Sequence, residues 1–311
     1  MRFPGLYGNP GLKQRLTAAQ RRLSHCYILE GPAGSGKKTL ARILAAAMEC
    51  EGDGDIPCGV CGACRKVFKN EHPDVITVDS DKATVPIRLI RDMQADAYIR
   101  PNEGRRKVYI LPRAQDMQAP AQNALLKLLE EPPAYCSFLL LTDTTEKLLE
   151  TVRSRAVELS MAPLSNGDLT DALRQAHPEL TLDQLSRAID RSGGYLGAAL
   201  DILTEPETEL DQTLDTILAA LSGEDELQLL SALLPLEKYK RPELLALLAE
   251  LNQALVRAMD PGAIPSARTL LLSRCTPQRR FDIAQAVKEA ITLLQANGST
   301  GHAVGILLGR L

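Results

Sequence analysis

The glycine-rich segment GPAGSGKKT at residues 31–39 has the residue types of a phosphate-binding loop. It matches the spacing G-x-x-x-x-G-K, and it lies between a short apolar segment and a segment with helical periodicity. In such a loop, backbone N–H groups and the N-terminus of the next helix surround the phosphates, and the lysine reaches the outer ones. The pattern predicts a nucleotide-phosphate site formed by Gly31, Gly34, Gly36, Lys37 and Thr39. The alternative is a glycine-rich turn that binds nothing.

The residues that would make this loop hydrolytic are not at the expected positions. Lys38 stands where a Ser or Thr hydroxyl would hold Mg²⁺. The apolar run KVYIL at residues 107–111 leads into Pro112 and Arg113, whereas acidic residues are expected at the end of such a strand. Phosphoryl transfer depends on a positioned metal and on charge stabilisation. We therefore expect no functional Mg²⁺ site and no intrinsic ATPase activity, while binding of ATP or ADP stays open.

Four of the seven cysteines fall within one short segment, at Cys50, Cys58, Cys61 and Cys64. Closely spaced cysteine pairs on glycine-containing turns suit a tetrahedral zinc ion. Because sulfur takes all four positions, this zinc would be closed to water and structural. The alternatives are reduced thiols without a metal, or a redox pair.

Alternating strand and helix patterns extend to residue 162. Short apolar runs predict buried strands at 26–30, 74–78, 107–111, 138–142 and 156–160. Segments with helical spacing lie between them, at 37–50, 85–99 and 122–131. Continuous apolar strands alternating with helices predict a parallel sheet with helices on both faces. From residue 163 onward only helical spacing remains, broken at 191–197 and at 204–210.

Composition limits the location and the partners. The chain has 311 residues, 45% of them hydrophobic, and a net charge of −3 at pH 7, so no global positive field attracts nucleic acid. The first residues lack the pattern of a signal peptide, and no apolar run is long enough to span a membrane. We therefore expect a globular cytoplasmic protein without a membrane partner. The basic segment RPNEGRRK at 100–107 is more typical of a solvated turn than of a DNA contact.

Several of these motifs occur together, and in this order, in one protein family. The segment 5–50, the four-cysteine cluster, NALLKLLEEPP at 123–133 and TVRSRA at 151–156 together resemble the AAA+ clamp-loader subunits of bacterial DNA polymerase III. The resemblance implies three domains. They are an α/β P-loop AAA+ module at 1–162, an all-helical lid domain at 163–207, and an all-helical collar domain for oligomerisation at 208–311.

The resemblance also implies a function. Subunits of this family form a hetero-oligomer that places a sliding clamp on primed DNA, and the expected partners are the gamma/tau ATPase subunits and a delta subunit. Pro112 and Arg113 stand where the ATPase members have acids, and Gly197 stands where they have an arginine that senses the γ-phosphate. These departures favour the inactive stator type, delta-prime. The alternatives are an active gamma/tau-type ATPase and a stand-alone zinc- and nucleotide-binding module.

One group that acts on a neighbouring subunit is retained. TVRSRA resembles the Ser-Arg-Cys motif of the family, with Ser154 and Arg155 present and Ala156 in place of the cysteine. The resemblance implies that Arg155 is an arginine finger supplied in trans to an adjacent ATP site, with Ser154 beside it. The alternative is an ordinary surface or salt-bridged arginine. Thr142 stands at the sensor position of the family and is expected to be structural here.

Overall fold

The structure is a computed structural model that describes residues 1–20, 22–204, 208–223, 225–259 and 267–310. The chain forms two compact units. The first, called the α/β unit below, contains Met1–Ala172 and Gly193–Ala199, and the second, called the helical unit, contains Leu173–Ser192 and Leu200–Leu311. Within the described ranges, no helix is both long enough and apolar enough to cross a bilayer.

Five parallel strands form the centre of the α/β unit. They are β1 (Cys26–Glu30), β2 (Val75–Thr77), β3 (Lys107–Leu111), β4 (Cys136–Thr142) and β5 (Val157–Ser160). Their order in the sheet is β2-β3-β4-β1-β5. The pairing places Glu30 of β1 beside Thr142 of β4, and Leu111 of β3 beside Leu140 of β4. The carboxyl ends of β1, β3 and β4 therefore lie along one edge, which is where ligands bind in parallel sheets.

Helices cover both faces of this sheet. Those that lie wholly within the unit are α1 (Pro10–Ala19), α2 (Lys37–Glu49), α3 (Gly62–Phe68), α4 (Ile87–Ala97), α5 (Ala119–Glu130) and α6 (Glu150–Arg153). Successive side chains of a strand point to opposite faces. Accordingly, Leu139 and Leu141 of β4 belong to the apolar cluster that contains α2, whereas Phe138 and Leu140 belong to the cluster that contains α4 and α5. The predicted parallel sheet with helices on both faces is confirmed.

Proline explains where α5 begins and ends. The sequence pattern predicts a helix at 122–131, but the helix begins at Ala119 because Pro120 in the first turn has no N–H that would need a partner. It ends at Glu130, shortly before Pro132 and Pro133, since a residue before proline disfavours the helical conformation. This end places Glu130 at the last turn of α5.

Leucine and alanine at helical spacing form the core of the helical unit. Helices α7 (Asn166–Ala176) and α9 (Leu196–Thr204) contain residues of both units. The helices that lie wholly in the helical unit are α8 (Leu182–Arg191), α10 (Glu209–Ser222), α11 (Glu226–Leu233), α12 (Arg241–Ala258), α13 (Ala267–Ser273), α14 (Pro277–Gln295) and α15 (Thr300–Arg310). Leu218, Leu248 and Val287 are fully buried in this core. Each such side chain contributes about 1.5–3 kcal/mol through burial.

A buried ion cluster joins α10 to three other helices of the helical unit. The Asp211 carboxylate accepts a hydrogen bond from Thr208 Oγ1 at 2.9 Å, and it lies 3.6 Å from Arg191 Nη1 and 3.3 Å from Arg268 Nη2. Glu250 of α12 is 3.2 Å from Arg191 Nε. Burial alone would raise the pKa of Asp211, but hydrogen bonds from Thr208 and the charges of the two arginines hold this pKa below its ordinary value. The cluster therefore depends on Asp211 being ionised.

The fold class is confirmed as an α/β P-loop unit of AAA+ type with a helical C-terminal region. The division into 1–162, 163–207 and 208–311 stays a prediction. Its second boundary, together with part of the predicted break at 204–210, falls on residues 205–207, which lie outside the described residues.

Candidate functional site

The glycine-rich loop connects β1 to α2 at the carboxyl edge of the sheet. The amide of Gly31 donates to the carbonyl oxygen of Thr142 at 3.1 Å, which fixes the start of the loop to β4. Gly36 is the N-cap of α2, with φ of 91°, a conformation that side-chain-bearing residues rarely adopt. The predicted loop residues therefore lie together around the N-terminus of α2. Such a terminus favours anions because its backbone N–H groups point outward.

The lysine of this loop is held by groups of the protein itself. Lys37 Nζ donates to Asp143 Oδ1 at 2.8 Å and to the carbonyl oxygen of Pro32 at 3.0 Å, and it also contacts the carbonyl oxygen of Gly31. Asp143 directly follows β4, and its other carboxylate oxygen accepts from Gln115 Nε2 at 3.3 Å. Sequence reasoning missed Asp143, although an acid directly after a buried strand is a signal that could have found it.

The loop is also in direct contact with Gly197. The amide of Gly197 donates to the carbonyl oxygen of Gly34 at 2.9 Å. A Cβ atom on Gly197 would lie 2.7 Å from Gly34 Cα, and a Cβ atom on Gly34 would lie 2.2 Å from the Ala198 nitrogen. Neither residue can carry a side chain without a backbone shift, so this approach of two backbones requires glycine at both positions.

A cation that follows the end of β3 contacts the segment after β2. The guanidinium of Arg113 lies 3.1 Å from Asp79 Oδ1 and donates to the carbonyl oxygen of Lys82 at 3.0 Å, and it also contacts the carbonyl oxygen of Ser80. Asp116 lies 3.6 Å from the same guanidinium. The cation that follows β3 is therefore held by partners of its own.

The hydroxyl group of Thr142, next to the loop, is used within the protein. Thr142 is fully buried, and its hydroxyl donates to the carbonyl oxygen of Thr144 at 2.6 Å. Thr39 is half-buried with its methyl group next to Gly5, whereas Lys38 is exposed. These contacts support a structural role for Thr142. Lys38, which stands where a Ser or Thr hydroxyl would be expected to hold Mg²⁺, is exposed.

The TVRSRA segment includes α6 and the residues just after it. Arg155 Nη2 forms an ion pair with Glu130 Oε1 at 2.8 Å, and Arg155 Nη1 donates to the carbonyl oxygen of Thr151 at 2.8 Å and to Ser154 Oγ at 3.2 Å. About a third of the Arg155 side chain is exposed, at 35%. Arg155 is therefore both restrained and accessible, and sequence reasoning did not identify Glu130 as its partner.

The four cysteines of the predicted zinc site come together in space. Their sulfur atoms all lie within 4.8 Å of one another, and Cys58 Sγ and Cys64 Sγ are 3.9 Å apart. A tetrahedral zinc with Zn–S bonds of about 2.3 Å places its sulfur ligands about 3.8 Å apart. Gly52 packs so closely that an added Cβ would lie 3.6 Å from Cys50 Sγ. The donor set, the spacing and the small flanking residue fit one closed metal site.

Backbone amides support the sulfur atoms of this cluster. The amide of Cys58 donates to Cys50 Sγ at 3.3 Å, that of Cys61 to Cys58 Sγ at 3.3 Å, and that of Cys64 to Cys61 Sγ at 3.4 Å. Hydrogen bonds from the amides of Cys61 and Val60 lower the pKa of the Cys58 thiol to about 6, whereas burial raises the pKa of the Cys64 thiol. Such N–H···S bonds favour thiolates, the form that binds metal.

The basic segment at 100–107 is anchored in the α/β unit. Asp74 accepts hydrogen bonds from the amides of Asn102, Glu103 and Gly104. Arg106 Nη1 donates to Ser137 Oγ at 3.0 Å, and the buried Lys107 pairs with an aspartate of α4. Arg105 Nη1 also donates to the carbonyl oxygen of Cys50 at 3.3 Å. Three of the four cations of this segment are thus engaged inside the unit, which supports the interpretation as a structural turn rather than a DNA contact.

The sheet order, the glycine-rich loop before α2 and the helical region define the class as an α/β P-loop protein of AAA+ type. The sequence profile of the family described as "DNA polymerase III, delta subunit" matches residues 10–165, half of the chain. The chain therefore belongs to this DNA polymerase III family.

Named relatives include two kinds of subunit. DNA polymerase III subunit tau of Salmonella typhimurium is 30% identical over 266 residues, which cover 81% of this chain and 40% of that protein. DNA polymerase III subunit delta' is 36% identical over 152 residues in Bacillus subtilis and 34% identical over 174 residues in Pseudomonas aeruginosa. These matches cover 49% and 55% of this chain, and 46% and 53% of the respective relatives. The chain thus spans about two fifths to half of these relatives, and both kinds of subunit match it.

Solved structures show a distant similarity of fold. A DNA polymerase III gamma subunit-related protein of Thermotoga maritima covers 96% of this chain and 98% of its own, with 18% identity and a TM-score of 0.43. A RuvB variant of Thermotoga maritima covers 86% of this chain and 88% of its own, with 17% identity and a TM-score of 0.44.

Proposed function

We propose that this chain is the stator, a delta-prime-type subunit, of a bacterial clamp loader, and that it supports ATP-dependent loading of a sliding clamp on primed DNA without hydrolysing ATP itself. The observation that carries the proposal is Arg113 at the end of β3. An ATPase site needs a negative charge near this position to organise Mg²⁺ and the attacking water. Arg113 instead brings a positive charge and is anchored by Asp79 and the 80–82 backbone.

The state of the glycine-rich loop supports the absence of hydrolysis. Lys37 is neutralised by Asp143, so a nucleotide phosphate would have to displace that carboxylate before the lysine could bind it. The carbonyl of Gly34 is already paired with the amide of Gly197, at the position where the ATPase members of the family have a sensing arginine. ATP or ADP would thus compete with contacts that the chain already makes.

Arg155 supplies the chemistry in this proposal. It would act in trans as an arginine finger on the ATP site of an adjacent gamma/tau subunit, with Ser154 helping to orient it. An arginine that stabilises the charge of the phosphoryl-transfer transition state accelerates hydrolysis by about 10³ to 10⁵ in systems where this has been measured. The partial exposure of Arg155 supports the proposal, because the guanidinium can reach a partner without unfolding α6.

Gamma/tau ATPase subunits and a delta subunit are the proposed protein partners, and the sliding clamp and primed DNA would be reached through the complex. A stand-alone zinc- and nucleotide-binding module would behave differently. It would be a monomer that does not co-purify with the ATPase subunits, and Arg155 would then have no substrate.

The metal in the proposed function is a structural zinc held by Cys50, Cys58, Cys61 and Cys64. It would supply folding free energy rather than catalysis, since four sulfur ligands leave no coordination position for water. Cys50 follows the last residue of α2, and Cys64 lies within α3 against the same apolar cluster. The zinc would therefore fasten α3 to the end of α2.

An active gamma/tau-type ATPase is the second candidate, and one observation favours it. Asp143 places a carboxylate beside the loop lysine, and carboxylate oxygens are ligands for Mg²⁺. In this candidate Asp143 would release Lys37 to the phosphates and hold the metal. The isolated chain would then hydrolyse ATP, and Asp143→Asn would abolish that hydrolysis.

Steady-state ATP hydrolysis by the purified chain separates the two candidates. The stator proposal predicts no turnover above background with Mg²⁺ and ATP, and a rate unchanged by Lys37→Ala. The gamma/tau ATPase subunits assayed in parallel provide the positive control. Turnover that Lys37→Ala removes would contradict the stator proposal and support the ATPase candidate.

A further inference from the structure

Two of the five N–H donors of Arg155 donate hydrogen bonds within its own chain, and a second nitrogen forms an ion pair. Nη1 donates to the Thr151 carbonyl oxygen at 2.8 Å and to Ser154 Oγ at 3.2 Å, and Nη2 pairs with Glu130 Oε1 at 2.8 Å. A guanidinium carries five N–H groups in a fixed planar arrangement. The Nε–H group and the N–H groups of Nη2 therefore donate no hydrogen bond to the described residues, although Nη2 is held by the ion pair with Glu130.

The edge of the guanidinium formed by Nε and Nη2 suits a phosphoryl group. Arginine binds phosphate oxygens with two parallel N–H···O bonds, and this geometry depends on the orientation of the guanidinium plane. The three engaged contacts set that plane from two directions, with α6 holding Nη1 and the last turn of α5 holding Nη2. A flexible arginine would have to adopt this orientation at each encounter with the ligand.

A neighbouring arginine shows a different arrangement. Arg153 binds both carboxylate oxygens of Glu158, through Nε at 2.8 Å and Nη2 at 3.4 Å, so its bidentate edge is occupied. Arg155 contacts only one oxygen of Glu130. Glu131, the next residue, is exposed and has no side-chain hydrogen bond or ion pair with the described residues. The chain thus offers a matched arginine and a matched glutamate as controls.

We infer that Glu130 is the positioning residue of Arg155: its carboxylate holds the guanidinium so that Nε–H and one Nη2 N–H face a phosphoryl group of a nucleotide bound to another subunit. This inference rests on the proposed function. In the assisted reaction, water attacks the γ-phosphorus, the bond to the β,γ-bridging oxygen breaks, and ADP, inorganic phosphate and a proton are released. Glu130 takes no part in bond making.

The test uses a clamp-loader assembly reconstituted with gamma/tau and delta subunits and with variants of this chain. The Arg155-dependent part of kcat for ATP is defined as the difference between the native and the Arg155→Ala assemblies. Glu130→Gln is expected to lower that part by about tenfold with an unchanged KM, because misorientation of a catalytic group costs rate rather than substrate binding. Glu130→Asp, which keeps the charge on a shorter arm, recovers part of the loss, and Glu131→Gln leaves kcat unchanged.

A double variant distinguishes positioning from a general structural effect. In the Arg155→Ala background, Glu130→Gln has no further effect on kcat if Glu130 acts only through Arg155. A native kcat for Glu130→Gln would overturn the inference. So would a loss of kcat in the Arg155→Ala background equal to the loss in the native background. Either result would leave the role of Arg155 as an arginine finger untouched. If Arg155→Ala itself leaves the assembly rate unchanged, the finger of the proposed function fails and the inference fails with it. Unchanged thermal melting of Glu130→Gln confirms that the variant is folded.

Discussion

The backbones of Gly34 and Gly197 are in contact, with the amide of Gly197 donating to the carbonyl oxygen of Gly34 at 2.9 Å. One glycine belongs to the glycine-rich loop, and the other is the second residue of α9. A sensing arginine at position 197 would need the loop to be displaced, because even a Cβ atom does not fit. Glycine at position 197 and the contact between the loop and α9 are thus one structural feature.

Gly197→Ala should destabilise the α/β unit. Its Cβ atom would lie 2.7 Å from Gly34 Cα and 2.8 Å from the Gly34 carbonyl oxygen, and both are backbone atoms that move only with the loop. Overpacking of this kind costs about 1–3 kcal/mol. Chemical denaturation measures the loss. Gly167→Ala is the matched control, since its nearest neighbour would be Ser165 Oγ at 3.9 Å, and equal unfolding free energies for the two variants would refute the close approach.

Asp143→Asn should strengthen nucleotide binding by the isolated chain. The variant removes the negative charge that occupies Lys37, while the amide keeps a similar size. Because Asp143 is half-exposed, the ion pair stabilises by at most about 1 kcal/mol, which corresponds to about a fivefold gain in affinity. Calorimetric titration with ADP in the absence of Mg²⁺ measures this, with Asp116→Asn as the control. In a parallel titration with Mg²⁺, weaker binding by Asp143→Asn would instead favour the ATPase candidate, in which this carboxylate helps to hold the metal.

The sequence predicts the elements of the α/β unit well, because their signals are local. The apolar run at 107–111 and the helical spacing after Lys37 correspond to β3 and α2. Contacts between distant residues were not predictable in the same way. Asp143 meets Lys37 only because β4 pairs with β1, and the two residues are 106 positions apart. The ion pair between Glu130 and Arg155 likewise depends on where α5 ends relative to α6, which no periodicity indicates.

The cysteine cluster predicts one zinc ion per chain. Replacing Cys61 and Cys64 together by serine should remove the metal and lower the thermal melting temperature, because structural zinc contributes its binding free energy to folding. Metal content by mass spectrometry and melting by circular dichroism check both effects. Cys275→Ala, at a buried cysteine of the helical unit, should keep the zinc. Full zinc content in the double variant would rule out this cluster as the site.

The helical unit should lose stability in acid through Asp211. Its folded-state pKa lies below the ordinary value of 3.8, so the folded state binds fewer protons than the unfolded state in this range. The stabilisation is fully present above pH 3.8 and is lost as the pH falls through the lower folded-state pKa. Asp211→Asn should cost about 1.5–3 kcal/mol at pH 7, since it removes the most buried carboxylate of the cluster and its bonds to charged groups, while Glu250 stays beside Arg191.

Denaturant titrations of the native chain and of Asp211→Asn at pH 7 and pH 3 measure this effect. The difference between the two proteins should shrink at the lower pH, because below pH 3.8 the Asp211 carboxyl binds a proton more readily in the unfolded chain than in the folded one. Asp225→Asn provides a control, since Asp225 is an exposed N-cap of α11. A difference that stays constant over this range would mean that the ionised form of Asp211 is not what stabilises the cluster.

In the proposed function, this chain supplies Arg155 to the ATP site of a neighbouring subunit and hydrolyses no ATP itself. The most direct measurement is the steady-state ATPase rate of the reconstituted assembly with the native chain, with Arg155→Ala and with Arg153→Ala. We predict that Arg155→Ala lowers the rate of ATP hydrolysis at the neighbouring site by a factor of about 10³ or more. Arg153→Ala should keep the native rate. An unchanged ATPase rate with Arg155→Ala would contradict the proposed role of Arg155 at a neighbouring ATP site.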